Sequence, residues 1–286
     1  MTRLIRLDSE KHSHYFQPDI KPAIRVESNT KIVLHVMDAL EGRAFNPPDN
    51  LRPEDVNPAT GPIFVKGSKP GDVLAVKVLA IRPIRTGYAG AGSGAKRIMR
   101  QFYFSGNGIR FSDDISLRVR PMIGVIGVAP RKGRYSNMIA GDHGGNLDCN
   151  LVHAGSTIYL PIFVGGGLLA IGDVHATMGD GEVGGQGIEV AAEVEVEVDI
   201  RKNWSLRRPF IETDEVWATV AAASDFVKAA WVAVGDMADY LAIKFRLSDM
   251  ESLLLLSTVG DVRVCQIVTK IPTARVELPK SIMRNM

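Results

Sequence analysis

Between Gly141 and Glu189 the chain reads GDHGGNLDCNLVHAG and later GDVHATMGDGEVGGQGIE. His143, His153 and His175 thus stand beside Asp142, Asp148, Asp173, Asp180, Glu182 and Glu189 in glycine-rich sequence. Imidazole and carboxylate groups raised on tight turns, with no thiolate among them, suit Zn2+, Fe2+, Mn2+ or Co2+ better than a four-cysteine structural zinc. An open coordination position is then expected, at which bound water can have its pKa lowered towards about 7. Carboxylates beyond those the cation needs are candidates for general base and acid, so hydrolysis of a polarised carbonyl is the natural reaction class. A single aspartate among glycines forms a turn more often than it binds metal. Co-occurrence raises the cation reading: His143 precedes Asp148 by five residues, and His175 precedes Glu182 by seven. Neither D-x-[DN]-x-[DN]-G nor H-E-x-x-H is present, which excludes an EF-hand and a zincin helix.

Strands must position these groups. From Ile188 to Ile200 apolar residues alternate with Glu189, Glu193, Glu195, Glu197 and Asp199, the pattern of a half-buried strand with an acidic outer face. Glu189 differs from the other acids because it follows the glycine loop directly. Further strands are expected at 31–37, 63–65, 72–81, 122–128, 157–163, 262–268 and 274–278, bounded by proline, glycine and asparagine. Turn signals roughly every ten residues point to a mainly β chain with a sandwich or barrel core.

After about Arg207 the period changes. Val227, Ala230, Trp231, Val234, Ala238, Leu241, Ala242 and Phe245 recur at three- and four-residue spacing behind Ser224 and Asp225, which predicts a capped helix. Ser248 and Glu251 form a capping box ahead of a second, shorter helix. The expected organisation is therefore a β-rich core over 1–206 that carries the metal site, with an α+β segment over 207–286 packed on it. The stretch 85–112 shows no clean period and reads as an extended loop, a lid or active-site wall. Its GAGSG lacks the G-x-x-x-x-G-K-[ST] pattern of a phosphate cradle.

Composition narrows the class. The 286 residues are 45% hydrophobic and 23% charged with a formal net charge of +2, ordinary for a soluble globular protein. Basic residues are dispersed, so neither a nucleic-acid nor a membrane partner is expected. The N-terminus has no apolar signal region, and no apolar run approaches a membrane span, so a cytoplasmic protein is the simplest reading. Cys149 and Cys265 form no disulfide framework and no C-x-x-C. Cys265 reads as core, and Cys149 as a small buried residue beside the metal site, with a nucleophilic thiolate as the alternative. A two-sided apolar pattern is compatible with a homo-oligomer such as a dimer.

The segments PATGPIFVKGSKPGDVLAV (58–76), PMIGVIGVAP (121–130), GDHGGNLDCN (141–150) and LPIFVGGGLLAIGDVHATMGDGEVGGQGIE (160–189) resemble the acetamidase/formamidase family, in the same order over most of the chain. The resemblance implies a mainly β fold with an α+β element near the C-terminus, a divalent metal near the acidic and histidine motifs, and hydrolysis of the C–N bond of small aliphatic amides to ammonia and a carboxylate. His143 and Asp148 match its first motif, while His175, Asp180 and Glu182 match its second. Asp38, in VMDALEG, resembles an early Asp-Ala of the family. We assign Asp38, His143, Asp148, His175 and Glu182 to the metal, with Zn2+ first and Ca2+, Mn2+ or Fe2+ as alternatives. Glu189 and Glu182 are assigned to proton transfer, with Glu189 favoured as base. Gly144, Gly145, Asn146 and Asp180 are assigned to the substrate, the amide oxygen being polarised by the metal or by backbone N–H groups of GDHGGN. Both glycine-flanked motifs are thereby expected to clasp one cation. Two other readings stand beside this one: a non-catalytic β-sandwich binding protein with a structural metal, and a hydrolase of another small C–N substrate such as a cyclic amide.

Overall fold

The computed structural model describes residues 4–48, 51–52, 55–92 and 97–283. Two sheets form the body. A nine-stranded sheet runs in the order Ile5–Leu7, Thr30–Val36, Ala192–Arg201, Val73–Pro83, Thr157–Pro161, Phe210–Glu212, Val216–Ala222, Thr273–Pro279, Asp261–Gln266. A seven-stranded sheet holds Ala140–Gly141, Gly144–Asn146, Met122–Gly127, Leu169–His175, Ala59–Val65 and His12–Ser13 in order, with Ile24–Val26 pairing Ala59–Val65 in parallel. One continuous apolar cluster joins them, with Ile32, Leu34, Val76 and Val196 from the first sheet and Ile63, Ile123, Ile126 and Ile171 from the second. The expected mainly β sandwich with a C-terminal helical segment is therefore what the chain forms.

The alternation at 192–201 works as its period requires. Val194, Val196 and Val198 are fully buried, while Glu193 and Glu195 lie on the other face and pair with Arg82 at 3.0 Å each. The C-terminal segment adds four strands to the nine-stranded sheet and lays two helices beside them. The first helix, α1 (Phe226–Phe245), is capped by the Asp225 side chain, which accepts from the Lys228 N–H; the second, α2 (Asp249–Val259), carries the complete Ser248–Glu251 capping box. The buried line of α1 is Ala229, Ala233, Met237 and Leu241, whereas Val227 and Trp231, placed on the apolar face by sequence, point outward. Small residues four apart let the helix approach the sheet closely, and Thr219 Oγ1 on the sheet donates to the Ala233 carbonyl at 2.7 Å. No helix among the described residues is long and apolar enough to cross a membrane.

The stretch 85–112 differs from expectation. It is a small antiparallel sheet in which Thr86–Ala91 pairs Ile98–Ser105, which in turn pairs Gly108–Arg110 and, beyond it, Ser116–Arg118. Ser93 to Lys96 lie outside the described residues. TGYAGA hides a strand because glycine and alanine occupy both faces and leave no contrast for a two-residue period to show. The strand sits against the chemistry, since Tyr88 exchanges both backbone hydrogen bonds with Glu189 (3.0 and 2.8 Å).

Candidate functional site

Two neighbouring strands of the seven-stranded sheet build the site floor. Leu169–His175 carries Asp173 and His175, and its pairing with Met122–Gly127 sets Gly124 opposite Asp173. The turn after Gly144–Asn146 then delivers Asp148, while the loop that follows His175 returns Glu182 and Glu189 to it. Asp148, Asp173 and Glu182 hold φ values of 43°, 55° and 49°, the left-handed region that non-glycine residues rarely enter. Three of five acid or imidazole groups strained in this way, all aimed at one point, is the pattern of a functional constraint.

That point is densely and unusually charged for a core. His175 Nε2 lies 3.3 Å from Glu189 Oε2, 3.6 Å from Asp173 Oδ1 and 3.8 Å from Glu182 Oε1, and Asp148 completes a second triad with His175 and Glu182. His175, Asp148, Asp173, Glu182 and Glu189 are all buried. Yet Asp148 Oδ1, Asp173 Oδ1, Glu189 Oε2 and both ring nitrogens of His175 lack hydrogen-bond partners. Four carboxyl groups and one imidazole converging without bonding one another would be costly to bury alone. Donor atoms bound to one ion at about 2.1 Å stand about 3 to 3.5 Å from each other, so the spacing suits ligands around a cation.

The electrostatics agree. Burial, reinforced by Glu182 and Asp173, holds the Asp148 carboxyl well above its ordinary range. Burial raises Glu182 to about 7 and Glu189 to about 8 against the opposing pull of His175. At His175 burial disfavours charge, but Glu189 and Asp173 outweigh it and push the imidazole pKa well up. Protons are thus held where a cation would otherwise sit, and a divalent ion among these oxygens reverses each shift. The residues present fit a divalent metal.

A polar relay orients the first motif's contribution. Asn137 Nδ2 donates to the Asn57 carbonyl at 2.7 Å, Asn57 Nδ2 to Asn146 Oδ1 at 3.3 Å, and Asn146 Nδ2 to Asp148 Oδ2 at 2.7 Å. This leaves Asp148 Oδ1 free for the centre. Glu182 is fixed from the other side, its Oε1 accepting from the Gly187 N–H at 3.1 Å. Above the cluster opens a cavity of about 430 Å³ whose apolar wall includes Leu40, Ala44, Leu51 and Val56, with Arg97 and Gln186 at its polar side.

The sequence assignments divide here. Asp148, His175, Glu182 and Glu189 converge as expected, and Asn146 lines the same cavity. His143 stands apart: its ring packs against Phe16 and Tyr135 with centroids 5.2 Å away, and burial lowers its pKa to about 4. The first motif therefore joins the cluster around His175 through its aspartate and not through its imidazole. Asp38 spends its carboxylate on the turn that follows, accepting from the Leu40 and Gly42 N–H groups and from Tyr88 Oη. Asp180 lines a different cavity, held by Arg275 at 2.6 Å and by Asn150 at 2.9 Å.

Gly144 and Gly145 are buried strand residues at φ 95° and 89°, with the Ile126 and Ile139 carbonyls filling the space of any Cβ. The N–H groups of Asn146, Leu147 and Asp148 all donate to backbone carbonyls, so this motif offers no oxyanion donors at those positions. Asp142 is exposed and pairs with Arg208. Cys149 is fully buried beside Cys265, as a packing residue would be. Asp173 is the member that turn statistics concealed; its spacing of two from His175, on a strand, was the available signal.

Gly124 supplies a test of this geometry. A Cβ there would stand 2.5 Å from Asp148 Oδ1 and 2.7 Å from Asp173 Oδ2, so the two carboxylates can approach only because the position is bare. Gly124→Ala is expected to weaken metal binding by about 10- to 100-fold, as changes next to ligands do. Gly108→Ala, where the nearest atom is 3.5 Å away, serves as control. Equal metal affinity in the two variants would show that the carboxylates do not act together.

The comparisons with known proteins point one way. The model of a family described as acetamidase/formamidase matches residues 2–140 and 136–285. The crystal structure of a predicted acetamidase/formamidase from Thermoanaerobacter tengcongensis superposes with a TM-score of 0.93 at 39% identity, covering 98% of this chain and 96% of the other. An acetamidase from Bacillus halodurans gives 0.93 at 35%, covering 97% and 98%. Among curated relatives, an acetamidase of Mycolicibacterium smegmatis is 25% identical over 265 residues, or 65% of each chain. The chain spans 63% of the length of a formamidase relative from Schizosaccharomyces pombe.

Proposed function

The chain belongs to the acetamidase/formamidase family, and from that premise we propose that it hydrolyses the C–N bond of small aliphatic amides, releasing ammonia and a carboxylate. The observation that carries the reading is the convergence of four buried carboxyls and His175 at the floor of a cavity, with five of their polar atoms unbonded. Asp148, His175 and Glu182 would hold the metal, with Asp173 beside them. A divalent cation held there supplies a Lewis acid for the amide carbonyl and acidifies water; the donor set of carboxylates and one imidazole suits Zn2+, with Mn2+, Fe2+ or Ca2+ as alternatives.

The chain's own residues do the rest. Glu189, with Oε2 buried and unbonded, accepts a proton from the attacking water and returns it to the departing nitrogen. Protonation of that nitrogen is required because an amide anion is a very poor leaving group. Asn146 holds Asp148 in its orientation, and Gly187 does the same for Glu182. Leu40, Ala44, Leu51 and Val56 give the acyl group an apolar wall.

The experiment is ammonia release from formamide, acetamide, propionamide and a five-membered cyclic amide, with and without a strong chelator. Linear amides are expected to be turned over and the chelated protein to lose that activity, regaining it on metal addition. Binding of an amide without ammonia release would instead support a non-catalytic pocket. Preference for the cyclic amide would move the substrate class.

A further inference from the structure

A second cluster of ligand types lies away from the site described, where HSH at the N-terminal strand meets the turn after Asp38. One ligand atom from each of His12, His14 and Glu41 falls within 4.8 Å of the others. The two imidazoles stand edge to face with centroids 5.2 Å apart, and His14 Nε2 is 2.9 Å from Glu41 Oε1. His12 Nδ1 lies 2.8 Å from the Ser9 carbonyl. A carbonyl can only accept, so Nδ1 carries the proton and a neutral ring presents Nε2 as a bare lone pair. Donation of the remaining ring N–H to a backbone carbonyl is how metal-binding histidines are commonly oriented. Glu41 is itself held at φ 53°, on a turn that the Asp38 carboxylate pins through two N–H groups. All three side chains are half-buried, open enough for an ion to enter.

We infer that His12, His14 and Glu41 form a second divalent-cation site, of the zinc type, separate from the Asp148 cluster. Two imidazoles and one carboxylate leave a fourth position for water. The ion would replace the hydrogen now shared between His14 Nε2 and Glu41 Oε1. It must also displace the Arg43 guanidinium, which lies 3.3 Å from the same oxygen. The consequence is structural. His12 pairs with Thr60 on a strand next to the one bearing Asp173 and His175, whereas Ala39, Leu40 and Ala44 of the Glu41 turn line the catalytic cavity. A cation bridging them fastens the substrate wall to the sheet that carries the chemistry.

The test is a count of Zn2+ bound per chain, by equilibrium dialysis against free Zn2+ followed by elemental analysis, in the wild type, His12→Gln and His14→Gln. Each variant is expected to bind one Zn2+ fewer than the wild type with an unchanged circular dichroism spectrum. The difference is one whether or not the Asp148 cluster is also loaded, so this outcome stands apart from that of the proposed function. Glu41→Gln, which removes the charge with little change of shape, gives the same comparison where a histidine variant fails to fold. Arg43→Ala is expected to tighten the second Zn2+ by about 2- to 5-fold, the size of a half-exposed ion pair removed from competition. Equal Zn2+ counts in the wild type and these variants, or weaker Zn2+ binding by Arg43→Ala, would overturn the site.

Discussion

Glu189→Gln is expected to lower turnover by about 10²- to 10⁴-fold, the usual contribution of a positioned general base, while bound metal stays at the wild-type level. Glutamine keeps the side chain's length and planarity but cannot take a proton. The environment makes Glu189 suited to the role: it is buried, and its Oε2 has no hydrogen-bond partner. A carboxylate oxygen left free of other partners beside the metal ligands is placed to take a proton from water and to give it up again to the departing nitrogen. Glu182 is the natural rival, because it lies 3.8 Å from the same imidazole. Its Oε1 already accepts from the Gly187 N–H, which fixes it as a ligand is fixed. Steady-state kinetics and elemental analysis of the same preparation separate the two roles. Full activity would remove Glu189 from the mechanism, and parallel loss of metal and activity would make it a ligand.

The parts of this architecture that were legible in sequence are those with an uninterrupted period. The strand at 192–201 announces itself because Val194, Val196 and Val198 alternate with glutamates over its full length. Helix α2 does so through a capping box that is local in the chain. Thr86–Ala91 was hidden because glycine and alanine blur its two faces, although its Tyr88 pairs with Glu189. The site was legible to the same extent. Motif density pointed to 141–189, and Asp148, His175, Glu182 and Glu189 meet in space. What linear sequence could not convey was direction. His143 and Asp148 are five residues apart, but the chain passes through a strand between them, so one faces Phe16 and Tyr135 and the other the cluster around His175. Asp38 and Asp180 illustrate a second limit: their carboxylates are consumed by a turn and by Arg275, partners that tertiary contacts alone reveal.

His175→Ala is expected to abolish both metal retention and amide hydrolysis, because its Nε2 lies within 4 Å of Asp173, Glu182 and Glu189 together. The loss should exceed that of any single carboxylate, since three acids remain when one is replaced but no imidazole remains here. A further signature follows from the charges left behind. Glu182 and Glu189, ordinarily near 4.5, are raised to about 7 and about 8 by burial even with His175 opposing the shift. Removing the imidazole raises them further. Groups whose folded pKa exceeds the unfolded one bind protons more firmly in the native state. Their contribution to stability is therefore complete below about pH 4.5 and is lost as pH rises through 7 to 8 and beyond. The variant should melt at a progressively lower temperature between pH 5 and pH 8, whereas the metal-loaded wild type, whose carboxylates are neutralised by the ion, should not follow that decline. Thermal unfolding at the two pH values, with metal content measured on each sample, checks both halves. A His175→Ala protein that keeps its metal, or that melts at the same temperature at pH 5 and pH 8, would place the cation elsewhere in the fold.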